Sequence, residues 1–196
     1  PATIRHALEI LNRTANFAAK RDLCAGISFV VEMPKVNNIK TEDLTPIELS
    51  RLIKVLDEEQ DIQASNMLRI ALYTGMRRGE LFSLKWSDVN FRRKTITIRD
   101  PKGGLDVTNP LNKMAGEVMK EHPDTASEFV FPGEGRQLRK KTPRSLNRIK
   151  LKPRLPEDFR MLHGLRHVYA SHLASSGKVD LYTLQKLLTH KSPLMT

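Results

Sequence analysis

The sequence predicts a mainly α-helical fold with one small antiparallel β-sheet (α+β). Two observations carry that expectation. Apolar residues recur three and four apart along most of the 196-residue chain, the period of a helix that buries one face. Against that background, residues 95–98 alternate threonine with isoleucine, and residues 107–111 read as a return strand across the turn Lys102-Gly103-Gly104. Two short β-type runs joined through glycines make a hairpin.

Taken in chain order, residues 3–21 form the first expected helix, with Ile4, Ala7, Leu8, Leu11 and Ala15 on one face. One helix cannot bury such a face alone, so residues 1–31 read as the end of an earlier helical domain. Residues 32–41, with Pro34 and two asparagines, show no periodicity and read as a linker. The second domain, 42–196, opens at Thr45-Pro46-Ile47-Glu48. Threonine as N-cap, proline in the first turn and glutamate three residues on form a capping box. Leu49, Leu52, Ile53 and Leu56 continue as its apolar stripe. A further helix covers 62–73 and is broken by Thr74-Gly75, and a short one runs through residue 84. After the hairpin, and after Phe131-Pro132-Gly133, helices are expected at 143–151, 163–175 and 181–189.

Composition narrows the possibilities. Hydrophobic residues make up 39% and charged residues 28%, a globular balance. A chain of this length buries roughly 70% of its unfolded surface, so it needs no disulfide or metal to fold. Its single cysteine, Cys24, excludes a disulfide framework and a multi-cysteine zinc site. No apolar run approaches the roughly 18 residues of a membrane span, and no signal-peptide pattern opens the chain. A soluble, cytoplasmic protein is expected.

Charge is more informative. Lys and Arg number 33 against 22 Asp and Glu, a formal net charge of +11, which favours a polyanionic partner, double-stranded DNA before an anionic membrane. Residues 136–154 hold nine basic residues and no acid. Like charges on adjacent turns repel, so the run is either an ordinary solvated face or, as its single sign favours, one that phosphates neutralise. Arg136, Arg139, Lys140, Lys141, Arg144 and Arg148 are therefore the candidate DNA contacts.

Three segments could carry chemistry. In Thr74-Gly75-Met76-Arg77-Arg78-Gly79-Glu80-Leu81, the break before a new helix exposes backbone N–H groups suited to an anion. Arg77 and Glu80 are either a plain surface ion pair or a guanidinium oriented to grip a phosphate. Lys102, at the hairpin tip, is either a solubility device or a mobile ammonium that reaches a nucleic-acid groove or donates a proton. In His163-Gly164-Leu165-Arg166-His167, the spacing puts His163, Arg166 and His167 on one helix face. The two histidines have the spacing of a metal pair, but no glutamate completes a zinc-protease motif and no third ligand is evident nearby. A phosphate site suits the trio better, and no metal is expected. His190 follows a helix end, where a dipole role alone would account for it. Phosphate-loop, dinucleotide-binding, nucleophile-elbow and two-metal nuclease patterns are absent.

Together and in this order, T-G-M-R-R-G-E-L, S-L-K-W-S-D-V, K-G-G-L-D-V-T-N-P-L, H-G-L-R-H and L-L-T-H-K-S-P-L-M-T resemble the catalytic domain of tyrosine recombinases, the phage-integrase family. The resemblance covers about residues 45–196 and implies that family's fold. It matches Arg77 and Arg166 to the two arginines that hold the scissile phosphate, and Lys102 to the hairpin lysine. His163 matches the histidine before the second arginine, and His190 the later histidine of the pocket. Glu80 matches the acid that supports the first arginine, and His167 a second histidine. The implied reaction is site-specific DNA recombination through a phosphotyrosine, with no cofactor, by members that act as tetramers on DNA. In the family the nucleophilic tyrosine follows M-T by two further residues. Tyr73, Tyr169 and Tyr182 do not match it, so the expectation is a monomeric fragment that lacks its nucleophile, binds DNA and does not cut it. The alternatives are a type IB topoisomerase-like enzyme and a DNA-binding module, such as a decayed integrase, without chemistry.

Overall fold

The computed structural model describes residues 2–35, 42–101 and 104–189, and the chain falls into two compact units, 1–41 and 42–196. In the first unit, α1 (Ala2–Ala19) buries none of its residues. Ile10, Leu11 and Phe17 are at least half exposed, as expected of an apolar stripe with no second element to cover it. The helix closes where Leu23 N–H donates to the Ala18 carbonyl, while the Arg21 guanidinium lies 4.3 Å from the centre of the Phe17 ring.

The second unit begins with α2 (Pro46–Asp57), whose capping box forms as expected: Glu48 N–H donates to Thr45 Oγ1, and Thr45 N–H donates to Glu48 Oε2 at 2.8 Å. Helix α3 (Ile62–Thr74), N-capped by Asp61, is the axis of the unit, with Met67, Leu68, Ile70 and Ala71 fully buried. It ends on Gly75 in the left-handed region (φ 66°), and the short α4 (Arg78–Ser83) follows.

The sheet has three antiparallel strands in sequence order, β1 (Val89–Asn90), β2 (Thr95–Ile98) and β3 (Val107–Pro110). Its register pairs Thr95 with Pro110 and Ile98 with Val107. Ile96 and Ile98 face the core while Thr97 and Thr108 face outward, which is the period-two pattern that predicted the hairpin.

Helix α5 (Lys113–Glu121) packs on α3. Neither it nor β1 was expected. A two-residue strand carries no period, and Gly116 interrupts the helix pattern. The signal for α5 is local: Asn112 caps it by accepting from Ala115 N–H, and Ala115 and Met119 supply its buried face. The remaining helices are α6 (Ser145–Leu151), α7 (Met161–Ser175) and α8 (Leu181–Leu187). Helix α7 lies against α3. It starts two residues earlier than the spacing implied, and Gly164 is required there, because a Cβ would lie 2.4 Å from the Phe159 ring. Helix α8 stops at Leu187, where buried Asn109 of β3 donates to the Leu187 carbonyl at 2.8 Å. The sheet thus fixes the chain just before residues 188 and 189. No helix among the described residues is long and apolar enough to cross a membrane.

Candidate functional site

The α3–α4 junction builds the first half of the site. Gly75 must be glycine twice over: its φ is positive, and a Cβ would come within 2.4 Å of the Tyr169 ring. The turn lets its carbonyl face inward and places Arg77 at the N-cap of α4. Glu80, almost fully buried, then takes hydrogen bonds on both oxygens. Oε2 accepts from Arg77 N–H at 2.7 Å, and Oε1 accepts from Arg77 Nη1 at 2.9 Å and from Thr189 Oγ1 at 3.0 Å. Arg77 also donates to the hydroxyl and carbonyl of Thr189.

Helix α7 brings the second arginine. Arg166 is 6% exposed; it donates to the Gly75 carbonyl at 2.6 Å and to the Leu188 carbonyl, and its Nη1 lies 3.9 Å from Glu80 Oε2. Burial, and then the nearby Arg77 charge, pushes its pKa down to about 10. It remains a cation at neutral pH, held at an electrostatic cost that an arriving anion would offset. Sequence-distant Arg77, Glu80 and Arg166 therefore converge, and Thr189 joins them. Thr189 and the Gly75 and Leu188 carbonyls were not among the expected groups. A backbone acceptor leaves no residue-type signal.

On either side of Arg166 in the sequence of α7 stands a separate group. His163 and His167 bring their Nε2 atoms to 3.1 Å, with the rings edge to face. Beside them lies Glu42, buried and bound by Arg160 Nε at 2.6 Å. The His163 pKa is lowered, first by partial burial and then by the Arg160 charge, so its neutral form is favoured at pH 7. Glu42, which reaches this spot from the start of the unit, was not among the expected residues. Lys102 and His190 lie outside the described residues.

The basic stretch does not behave as one face. Arg139 is half-buried and donates to the carbonyls of Phe131 and Pro132 and to Gln63 Oε1. Arg148 and Lys152 both pair with Glu59, whose side chain is 1% exposed. An acid absent from the local sequence thus arrives through the fold. A backbone hydrogen bond from Asp61, with Lys152 and Arg148, holds the Glu59 carboxyl below its usual range. Arg136, Lys140, Lys141 and Arg144 are exposed, with no ion-pair partner among the described residues.

The three tyrosines have different surroundings. Tyr73 is half-buried against the core, and Tyr182 is exposed beneath the Lys186 ammonium. Tyr169 packs on Gly75, and burial raises its pKa, which disfavours the nucleophilic phenolate.

A helical unit with a small antiparallel sheet, in which two remote arginines meet over one glutamate, has a counterpart among known proteins. Residues 42–196 match the Phage integrase family, and the chain belongs to it. The tyrosine recombinase XerA of Pyrococcus furiosus is 28% identical over 165 residues, a match covering 81% of this chain and 57% of that protein. The integrase of Salmonella phage P22 is 30% identical over 172 residues, covering 81% and 43%. The match thus spans about half the length of such relatives. Among solved structures, a lambda integrase dimer bound to a core site superimposes with a TM-score of 0.76 at 19% identity, over all of this chain and 74% of that one. The Tn1549 transposon integrase in complex with circular intermediate DNA gives 0.75 at 18%, over 99% and 73%. At those identities the likeness is one of fold.

Proposed function

We propose that this chain is the phosphate-clamping part of a site-specific DNA recombinase that works by transesterification through a 3′-phosphotyrosyl intermediate. The observation that carries this reading is the convergence of Arg77 and Arg166 on Glu80. Glu80 positions the guanidiniums, which would hold the scissile phosphate's non-bridging oxygens as their charge grows. A tyrosine oxygen bonds to phosphorus and the bond from phosphorus to the 5′ oxygen breaks. Lys102 would supply the proton to the departing oxygen; His163, with His190, would manage the tyrosine proton. The attacking hydroxyl is none of Tyr73, Tyr169 and Tyr182. Residues 1–31 would be the helical end of a core-binding domain, joined through 32–41 to the catalytic domain at 42–196. The DNA lies along exposed Arg136, Lys140, Lys141 and Arg144, the complete protein assembles as a tetramer on it, and the setting is cytoplasmic.

A nicked suicide duplex incubated with the chain tests this. Binding is expected with a log–log salt slope of about −4 to −5, at roughly 0.9 per phosphate for about five phosphates, and with no covalent band on a denaturing gel. A covalent band would assign the nucleophile to one of the three tyrosines. Salt-independent or undetectable binding would remove DNA as the substrate.

A further inference from the structure

The group formed by Glu42, His163 and His167 has a chemistry the phosphate clamp does not use. We propose that these three side chains bind one divalent transition-metal cation of the zinc class.

Their ligand atoms all lie within 4.8 Å of one another, and the two Nε2 atoms are 3.1 Å apart. Donors around a tetrahedral zinc with bonds of about 2.0–2.1 Å sit roughly 3.3 Å from each other, so small side-chain rotations suffice. The histidines stand at i and i+4 on one face of α7, and Glu42 is brought to them by the fold. An independent observation points the same way: Glu42 Oε2 is buried and has no hydrogen-bond partner, while Oε1 is held by Arg160. Buried carboxylate oxygens rarely go unsatisfied, and a cation seated between Oε2 and the imidazoles would satisfy this one. Arg160 then plays the part of the outer hydrogen-bonding group that orients a ligating carboxylate. Two imidazoles with one carboxylate favour zinc, nickel, copper or cobalt over magnesium or calcium, which take oxygen ligands. With three protein donors, a fourth coordination position stays open to water or an anion.

The site would clip the chain ahead of α2 to the first turns of α7. Metal binding stands on geometry alone. Its consequence rests on the reading above: a metal on His163 withdraws that histidine from the phosphate and holds the clamp off.

The test is a Co²⁺ titration of the tag-free chain without DNA, followed by visible absorption, with Zn²⁺ as competitor. One saturable equivalent is expected, displaced by Zn²⁺ and lost in His167→Ala. Glu42→Gln, which keeps the side chain's size and its neighbour Arg160, should weaken affinity strongly. Arg160→Ala should weaken it about ten- to a hundredfold. His6→Ala and His172→Ala should change nothing. Absence of a saturable band, a band that survives both His167→Ala and Glu42→Gln, or one lost in His6→Ala or His172→Ala overturns the proposal. Circular dichroism of each variant identifies loss of fold, and Glu42→Gln decides the matter if His167→Ala fails to fold. Salt-dependent DNA binding is measured separately, so the two readings fail independently.

Discussion

The clamp around Glu80 and the basic stretch at 136–154 both concentrate positive charge, and they manage it in opposite ways. At the clamp, two guanidiniums are largely buried, fixed by carbonyls from Gly75, Leu188 and Thr189, and balanced by one carboxylate. In the stretch, Arg136, Lys140, Lys141 and Arg144 stay exposed and unpaired among the described residues, whereas Arg139, Arg148 and Lys152 are committed to partners within the protein. Buried charges in fixed geometry suit a reaction centre, where donors must not reorganise as charge develops. Exposed charges on free side chains suit a polyanion whose exact position varies. Net charge alone does not distinguish the two. The number of partners each cation has does.

The strongest way to break this comparison is Glu80→Ala. It removes the carboxylate shared by two guanidiniums and leaves Arg166 buried with a cation for a neighbour. Deleting one partner of a buried pair costs about 3–5 kcal/mol, or about 10 °C in melting temperature for a unit of this size. Arg148→Ala should cost less than about 1 kcal/mol, because its side chain is largely exposed and Lys152 stays paired with Glu59. Equal losses in thermal melts would mean that the clamp is no more structured than the surface.

Gly75→Ala probes the same site from its backbone. A Cβ there meets the Tyr169 ring at 2.4 Å and sits on a residue with φ 66°. Left-handed strain and overpacking together should cost about 2–4 kcal/mol, read by urea denaturation. Because the Gly75 carbonyl holds Arg166, DNA affinity should fall as well. A variant with unchanged stability would show that Tyr169 can simply move aside.

These two residues also show what was legible in the sequence. The helix boundaries at Thr45 and Gly75 and the hairpin at 95–110 were readable, because caps, left-handed glycines and period-two strands are local rules. Arg77, Glu80 and Arg166 were readable as a set through resemblance. Glu42, Glu59 and Thr189 were not, since each acts on residues far away in the chain and nothing beside them in sequence signals it. The acid-free run of 136–154 was only partly legible for the same reason: Glu59 brings to Arg148 and Lys152, from another part of the fold, a negative charge that the run lacks. Helix α5 was missed through Gly116, although its Asn112 cap was present.

Within the stretch itself, a triple variant, Lys140→Ala with Lys141→Ala and Arg144→Ala, sharpens the division. If each touches one phosphate, the log–log salt slope should fall by about 2.7, at 0.9 per contact, with melting temperature unchanged. Arg139→Ala should do the reverse, because it leaves the carbonyls of Phe131 and Pro132 without their donor; that costs about 1–3 kcal/mol and leaves the slope alone. A slope change from Arg139→Ala would place it on the DNA despite its internal partners.

The smallest expected effect lies at a third kind of site, a buried ionisable group kept neutral. His122 is 7% exposed between Trp86 and Phe131. Its Nδ1 accepts from the Asn66 amide at 3.0 Å, and its Nε2 donates to the Val130 carbonyl at 3.0 Å. That network defines one neutral tautomer, and a second proton on Nδ1 would meet the Asn66 donor. Burial lowers the His122 pKa, only partly offset by the bond to Val130. The unfolded chain therefore takes up this proton at a higher pH than the folded one, and stability must fall as pH drops below about 6.5. The fall should level off once pH passes below the folded pKa. Urea denaturation at about pH 7.5 and about pH 5.5 reads the loss, bracketing the unfolded pKa. His122→Gln, which cannot titrate, should lose less stability between those conditions than the parent chain. His163, also lowered, titrates in both proteins and cancels from the difference. An identical pH dependence in the two would mean that His122 titrates in the fold as it does in the unfolded chain, so that burial does not hold it neutral.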